Sequence, residues 1–283
     1  KLMGLDRKKL LHAIGSAGTQ AAGLWQFLED GAMSKTLHTA NGTLCGLRSA
    51  RLAALGFTAA EDILAGDRGL LGAMTPDNHP GALSWENCAL LTNSLKPYAC
   101  CRHTHAADYC AQLLRGEHRL EPEHITRIVD HTYQVAVNTV DNPEPSTPYG
   151  YKFSGQYCTA AMLVYGHLGE SAFTPEATSD PRVRRLMDKI TLVCDPELEA
   201  SYQADRNRWA HRLEVTLEDG RVLTRQVEYP YGDFNNPFTW AYEHEKFHTL
   251  ADGVLGPDRV AALVERLPHL EELDDINRLF EGL

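Results

Sequence analysis

Two alternating segments joined by an Asp-Gly turn constrain the fold of this chain more than any other feature. The segments are residues 212–217 and 222–227, with Asp219-Gly220 between them. Alternation of apolar and polar side chains is typical of a strand with one buried face, and Asp-Gly between two such runs indicates a tight hairpin. The chain therefore contains an antiparallel strand pair that needs a covering layer.

Helical patterns flank this hairpin on both sides. In the first ninety residues apolar side chains recur at spacings of three and four, and after Pro237 a stripe of Val260, Leu263, Leu267 and Leu270 predicts helix again. Between them, strands are predicted at 125–129 and 190–194 and helices at about 105–115, 154–166 and 181–188. We expect an α+β fold in which a discontinuous all-helical domain is interrupted by an inserted α+β domain. The predicted limits are 1–92, 93–235 and 236–283.

Turn signals divide the first helical part. Gly56-Phe57-Thr58 is predicted to end one helix and to cap a second over residues 61–64. Residues 72–84, rich in Gly, Pro, Asn and His, are predicted to form a loop.

Composition excludes several partners. The net charge is −11 with acids and bases interspersed, which disfavours a nucleic-acid surface. Apolar runs such as 159–165 are too short to cross a membrane. The seven cysteines include no CxxC pair, so we expect free thiols and a cytoplasmic protein.

Two segments combine a lysine with nearby histidines at a break between apolar runs. Residues 29–38 contain Lys35 and His38 after a glycine, and residues 95–105 contain Lys96 before a proline. Junctions of this kind let a rigid scaffold present charged groups to a small anion.

Together these segments resemble the MmgE/PrpD family, which includes 2-methylcitrate dehydratases, cis-aconitate decarboxylases and iminodisuccinate epimerases. The resemblance continues through residues 56–58, 62–64, 152–154 and 180–183 and covers most of the chain. It implies that the inserted α+β domain acts as a lid, that the active site lies in the cleft below it, and that the protein forms a homodimer. It implies no cofactor.

The resemblance also implies roles for particular residues. Lys35 and Lys96 would face each other across the cleft and neutralise substrate carboxylates. Further candidates are Cys101, His103 and His105 for proton transfer, and His38, Arg102 and Lys152 for substrate binding. The alternative for each is an ordinary solvated or structural side chain.

The chain departs from its relatives at three places. His38-Thr39-Ala40 stands where relatives often carry His-Pro-Gly, Cys101 stands where decarboxylase-like members carry a catalytic histidine, and the nearest equivalent of the family's tyrosine is Thr139. A thiol transfers protons near neutral pH only when its pKa is tuned.

The function favoured is an MmgE/PrpD-like lyase or isomerase that removes a proton α to a carboxylate of a small di- or tricarboxylate. Family members begin with a helical portion carrying an Asp/His-rich part of the active site, and this chain opens within what resembles the middle of the helical domain. We therefore expect activity to need that portion, in cis or from a complementing chain. The alternative is a non-catalytic partner subunit or remnant.

A third functional class, a zinc peptidase, rests on one pentapeptide. His244-Glu245-Lys246-Phe247-His248 is a literal HExxH, in which two histidines one helical turn apart can share Zn²⁺. No third-ligand motif follows it. We interpret it as coincidence and predict no metal site, with a zinc peptidase as the remaining alternative.

Overall fold

The computed structural model describes residues 3–77, 79, 81, 86 and 88–281. The chain divides into two compact units, one formed by Lys1–Cys88 with Glu144–Phe153 and the other by Ala89–Pro143 with Ser154–Leu283. Among the described residues, no helix combines the length and the apolar character needed to cross a membrane.

The described helices and strands follow in chain order. The α-helices are α1 (Arg7–Gly18), α2 (Phe27–Asp30), α3 (Ser34–Ala54), α4 (Leu70–Met74), α5 (His105–His118), α6 (Gln134–Val140), α7 (Pro148–Tyr151), α8 (Gly155–Tyr165), α9 (Pro175–Thr178), α10 (Pro181–Met187), α11 (Pro196–Ala204), α12 (Trp240–Leu255) and α13 (Pro257–Arg266). The strands are β1 (Ile125–Thr132), β2 (Ile190–Cys194), β3 (His211–Leu217) and β4 (Val222–Val227). Short 3₁₀ helices occupy Ala89–Thr92, Arg102–Thr104, Pro122–His124, Glu170–Phe173, Leu267–Glu272 and Ile276–Phe280.

The first unit is built on the packing of α1 against α3. Asp6 caps α1 by accepting a hydrogen bond from the Lys9 amide at 2.8 Å. Glycine is required on this helix, because a Cβ at Gly15 would lie 2.1 Å from the Ala60 carbonyl oxygen and one at Gly18 would lie 2.6 Å from Ile63. The small residues of this helix therefore serve close packing, as their spacing indicates.

Two predictions in this unit need correction. Helix α3 ends at Ala54 and Gly56 has a φ of 93°, so the predicted helix end is confirmed. Residues 61–64 form turns instead of a helix, since Ile63 and Leu64 carbonyls bond to the amides of Leu70 and Leu71 across a reversal. The predicted loop at 72–84 begins only after α4, and residues 78, 80 and 82–84 lie outside the described residues.

The second unit contains a mixed sheet in the order β2-β1-β3-β4. Strands β1 and β2 are parallel, and β3 is antiparallel to both of its neighbours. The predicted hairpin, both other strands and the helices now labelled α5, α8 and α10 are confirmed. The α+β class therefore holds, while the lid role and the three domain limits stay predictions.

Helix α5 forms the core of this unit against the sheet and α8. Ala106, Ala107, Cys110, Ala111 and Leu114 are at most 1% exposed. These small side chains let α5 approach β3 closely, and Leu213 and Val215 of β3 are fully buried as the alternation predicts. The packing fixes the N-terminus of α5, where the 95–105 segment ends.

The C-terminal helices belong to the second unit. Val260 and Leu263 are buried as predicted, but Leu270 is 38% exposed. The backbone at His269 leaves helical geometry, with φ −120° and ψ 30°. The predicted apolar stripe therefore does not continue to Leu270.

Candidate functional site

The 95–101 segment turns Lys96 back over its own loop. The Lys96 ammonium donates to the Cys100 carbonyl at 2.7 Å. The loop is tied down by backbone bonds from Leu95 to Gly232 and from Ala99 to Leu168, each 2.8 Å. The lysine is thereby held at the start of the 3₁₀ helix that carries Arg102 and His103.

His103 is held by two aromatic residues. Its ring stacks on Trp209 with centroids 4.4 Å apart and planes 8° from parallel. Its Nδ1 lies 2.7 Å from the Tyr133 hydroxyl. The imidazole is half-buried, and both contacts restrict its rotation.

Tyr133 follows directly after β1, so the strand determines where the phenol points. Its side chain is fully buried and stacks on Tyr202 at 4.2 Å. Burial raises the pKa of Tyr133 far above its ordinary value, with the nearby Tyr202 adding to the effect. The phenol therefore keeps its proton at every physiological pH.

Arg102 lies beside this aromatic group. Its Nη2 donates to Asp233 at 2.7 Å, and the guanidinium carbon lies 5.1 Å from the Trp209 ring centre. Asp233 is 2% exposed and also accepts from the Ser94 hydroxyl. The Arg102 Nη1 is buried and has no hydrogen-bond partner among the described residues. An unsatisfied buried donor costs about 1–3 kcal/mol, which a bound carboxylate would relieve.

A polar cluster lies at the N-terminus of α5. The Thr104 hydroxyl donates to Asp108 at 2.7 Å, and the Cys100 thiol lies 3.6 Å from the same carboxyl group. Burial, followed by the neighbouring Cys100, raises the pKa of Asp108 well above its ordinary range. His105 is 0% exposed and packs edge-on against Tyr98, with its Nε2 3.4 Å from the Cys100 carbonyl.

Three ligand-type atoms converge in this cluster. One atom each from Cys100, Asp108 and Cys158 lies within 4.8 Å of the others, and all three residues are buried. Metal binding would require these groups to lose protons. Burial instead raises the pKa of the Cys158 thiol, as it does that of Asp108. The pKa of the Cys100 thiol moves the other way: burial raises it, but the hydrogen bond to Cys158 and the neighbouring His105 lower it well below its ordinary value.

The remaining predicted site residues lie in the first unit. The Lys35 ammonium stands 5.0 Å above the Phe153 ring, and His38 packs edge-on against Phe27 at 5.7 Å. Lys152, at the end of α7, is half-buried. The structure thus groups Lys96, Cys101, Arg102, His103 and His105 on one segment of the second unit and the other three residues in the first unit. A shared cleft between Lys35 and Lys96 stays a prediction.

The HExxH pentapeptide lies on α12, so both histidines share a helical face. The His248 Nδ1 lies 3.0 Å from an Asp252 oxygen, one turn further along. The His244 Nε2 is buried without a hydrogen-bond partner in the described chain. In the same described portion, no third ligand-type side chain joins this pair at metal-binding distance.

Sequence analysis missed Tyr133, Trp209 and Asp233 at this site. Tyr133 carried a usable signal, because a polar-tipped residue directly after a buried strand is a common functional position. Trp209 and Asp233 carried none, since Asp233 lies 131 residues from Arg102 in the chain.

A surface cavity of about 370 Å³ lies elsewhere on the second unit. It is lined by residues 118–121, 124, 217–219, 221 and 223, at the start of β1 and beside the β3–β4 turn. His103 contacts the residue after the other end of β1. An eight-residue strand spans roughly 25 Å, so the cavity and the His103 site are separate.

Comparison with known proteins agrees with the resemblance read from the motifs. The family model described as the MmgE/PrpD C-terminal domain matches residues 98–269, more than half of the chain. The chain belongs to the MmgE/PrpD family. The model of the MmgE/PrpD N-terminal domain matches residues 1–82. Lys35 and His38 thus fall within the N-terminal match of this MmgE/PrpD chain, and Cys101 to His105 within the C-terminal one.

The relatives of the MmgE/PrpD chain are named either as cis-aconitate decarboxylases or as 2-methylcitrate dehydratases. A cis-aconitate decarboxylase of Aspergillus terreus is 29% identical over 100% of this chain and 61% of its own length. A cis-aconitate decarboxylase-like protein of Aspergillus oryzae is 26% identical over 99% and 60%. The mitochondrial 2-methylcitrate dehydratase of Yarrowia lipolytica is 32% identical over 46% and 26%. The chain therefore spans about 60% of the length of the two Aspergillus relatives.

Proposed function

We propose that this MmgE/PrpD chain belongs to a lyase or isomerase acting on a small di- or tricarboxylate. The names of its relatives support this class, because methylcitrate and cis-aconitate are both such acids. Dehydration, decarboxylation and epimerisation all pass through negative charge that develops next to a carboxylate. The common requirement is a fixed positive field in a site that excludes water.

The observation that carries the proposal is the unsatisfied donor of Arg102 beside His103. The Arg102 Nη1 is buried without a partner in the described chain, while Nη2 is held by Asp233. One side of the guanidinium is thus anchored, and the other is a buried donor that a planar anion would satisfy. Lys96 lies on the same segment and adds a second positive charge.

The roles follow from these charges. Arg102 and Lys96 bind and polarise a carboxylate, with Lys35, His38 and Lys152 contributing from the first unit. Cys101 and His105 are candidates for proton transfer, and His103 contacts the group on which negative charge develops. The buried position of His105 makes it less accessible than His103, which is half-buried. No cofactor is required by this chemistry. A homodimer, a complementing N-terminal chain and a cytoplasmic location stay predictions.

The test uses the complete natural protein. Incubation with 2-methylcitrate, citrate or cis-aconitate in D₂O, followed by NMR, should show product formation or α-carbon deuteration for at least one acid. Arg102→Ala should lower kcat/KM about 100-fold, the loss typical of one transition-state donor. The control is Arg127→Ala, an exposed arginine on β1, which should keep full activity.

Two further controls accompany this test. Circular dichroism establishes that Arg102→Ala is folded, and Lys96→Ala provides a second variant that leaves the Asp233 pair intact. Absence of turnover and of exchange with every acid would refute the proposal and favour the non-catalytic partner subunit.

A further inference from the structure

The contacts of His103 determine which of its ring nitrogens carries the proton. Tyr133 reaches Nδ1 at 2.7 Å, and its hydroxyl makes no other hydrogen bond among the described residues. The phenol is fully buried, and burial raises its pKa, so it remains an O–H group. A buried O–H without an acceptor costs about 1–3 kcal/mol. The Tyr133 hydroxyl therefore donates to His103 Nδ1.

An imidazole nitrogen that accepts a hydrogen bond does not carry a proton of its own. When neutral, the His103 ring must then hold its proton on Nε2.

We propose that Tyr133 is a positioning residue that holds His103 as the neutral Nε2–H tautomer, so that His103 acts as a hydrogen-bond donor to substrate and not as the base. The inference rests on the proposed carboxylate chemistry and specifies one role within it. His103 Nε2–H stabilises negative charge on a carboxylate oxygen as the α-proton leaves. The proton itself goes to another group.

Trp209 supports the same arrangement. Parallel stacking at 4.4 Å fixes the plane of the His103 ring, and within that plane Nδ1 faces the Tyr133 hydroxyl. The Trp209 indole is itself held, because its Nε1 donates to the Arg206 carbonyl at 2.8 Å. The orientation of His103 is thus determined by residues from separate segments of the second unit.

The first test is spectroscopic and needs no turnover. Long-range ¹H–¹⁵N NMR of the protein labelled at histidine, with the His103 signal assigned through His103→Gln, reports the protonation of each ring nitrogen. We expect an unprotonated Nδ1 and a protonated Nε2 near neutral pH. Tyr133→Phe should shift the ring toward a mixture of tautomers. The control is Tyr202→Phe, which removes the neighbouring hydroxyl without touching His103 and should leave the spectrum unchanged.

The second test separates a donor from a base. A glutamine amide N–H can replace the Nε2–H of histidine but cannot replace a base. His103→Gln should therefore retain at least about tenfold more kcat than His103→Ala. The same loss in both variants would overturn the donor role, and a wild-type spectrum with the proton on Nδ1 would overturn the tautomer. If the expected spectrum occurs without turnover of any acid, the proposed function fails while the tautomer assignment stands.

Discussion

Two histidines near the end of β1 show opposite environments. His211 is 1% exposed, with Nδ1 2.8 Å from Asp130 Oδ1 and Nε2 3.0 Å from the Thr132 hydroxyl. His103 is half-buried, stacks on Trp209 and meets the Tyr133 phenol. Asp130 and Thr132 at the end of β1 thus contact one histidine, and Tyr133, directly after the strand, contacts the other.

The difference lies in the direction of the hydrogen bonds. The Thr132 hydroxyl donates to the Ala210 carbonyl at 3.1 Å and also contacts the Nε2 of His211. The Asp130 carboxylate accepts from the Nδ1 of His211. The Tyr133 phenol, in contrast, donates to the Nδ1 of His103. The same ring nitrogen is therefore a donor in one histidine and an acceptor in the other.

The largest effect should come from removing the negative charge beside His211. Asp130→Asn keeps the size of the side chain but replaces one of the two carboxylate oxygens that face the Nδ1 of His211 with an amide N–H. Disrupting a buried hydrogen bond to a charged group costs about 1–3 kcal/mol. We expect a decrease of that size in the free energy of unfolding, measured by urea denaturation at neutral pH.

The matched control is Glu214→Gln on the adjacent strand β3. Its side chain is 40% exposed, so the expected change is below about 1 kcal/mol. Equal losses in the two variants would show that the buried contact between Asp130 and His211 stabilises the fold no more than a surface contact does.

A second prediction concerns Asp108, a buried acid that accepts a hydrogen bond from the Thr104 hydroxyl. Its pKa is raised in the native state by burial, so the native carboxyl stays protonated while the unfolded one ionises above about pH 3.9. Stability is therefore lost as pH rises toward the native pKa. Asp108→Asn should remove this loss.

The measurement is urea denaturation of both proteins from about pH 4 to about pH 8. The stability of Asp108→Asn relative to the wild type should rise along this range. Asp188→Asn, at an exposed position, should show no such trend. A constant difference across the range would mean that Asp108 is ionised in the native state.

A smaller effect is expected at Asp180, which caps α10 at the surface. The Arg182 side chain lowers the pKa of Asp180 to about 2, helped by the Arg182 amide and the Tyr165 hydroxyl. Here stability is present above the unfolded pKa of about 3.9 and is lost as pH falls toward about 2. Arg182 is 52% exposed, so Asp180→Asn should cost less than about 1 kcal/mol at neutral pH.

The lower stability of Asp180→Asn relative to the wild type should disappear in acid. Thermal denaturation of both proteins as a function of pH measures this difference. Asp67→Asn, at an exposed residue of a turn, is the comparison variant. A deficit that persists below about pH 2 would show that it does not come from the ionised carboxylate of Asp180.

The last prediction is that the HExxH histidines have no effect on metal content. We expect the purified protein to contain no stoichiometric Zn²⁺ and His244→Ala and His248→Ala to leave elemental analysis unchanged. Zinc that is present in the wild type and lost in either variant would establish the peptidase alternative.

Local patterns predicted much of the second unit. The hairpin at 212–227 was predictable because alternation and the Asp-Gly turn are properties of neighbouring residues. The 61–64 helix failed because the backbone there bonds to Leu70 and Leu71 after a reversal that the short window does not show. Candidate residues on the 95–105 segment were found through their motif, but their hydrogen-bond partners were not.

The sequence by itself determined the strands and helices of the sheet unit and membership of the MmgE/PrpD family, because both rest on residues read in order along the chain. Only the tertiary structure decided that His103 meets Tyr133 and Trp209, that Arg102 is anchored by Asp233, and that His211 is enclosed by Asp130 and Thr132. The physical reason is that a histidine's proton is placed by its partners, and these partners come from segments that are distant in sequence and adjacent only after folding.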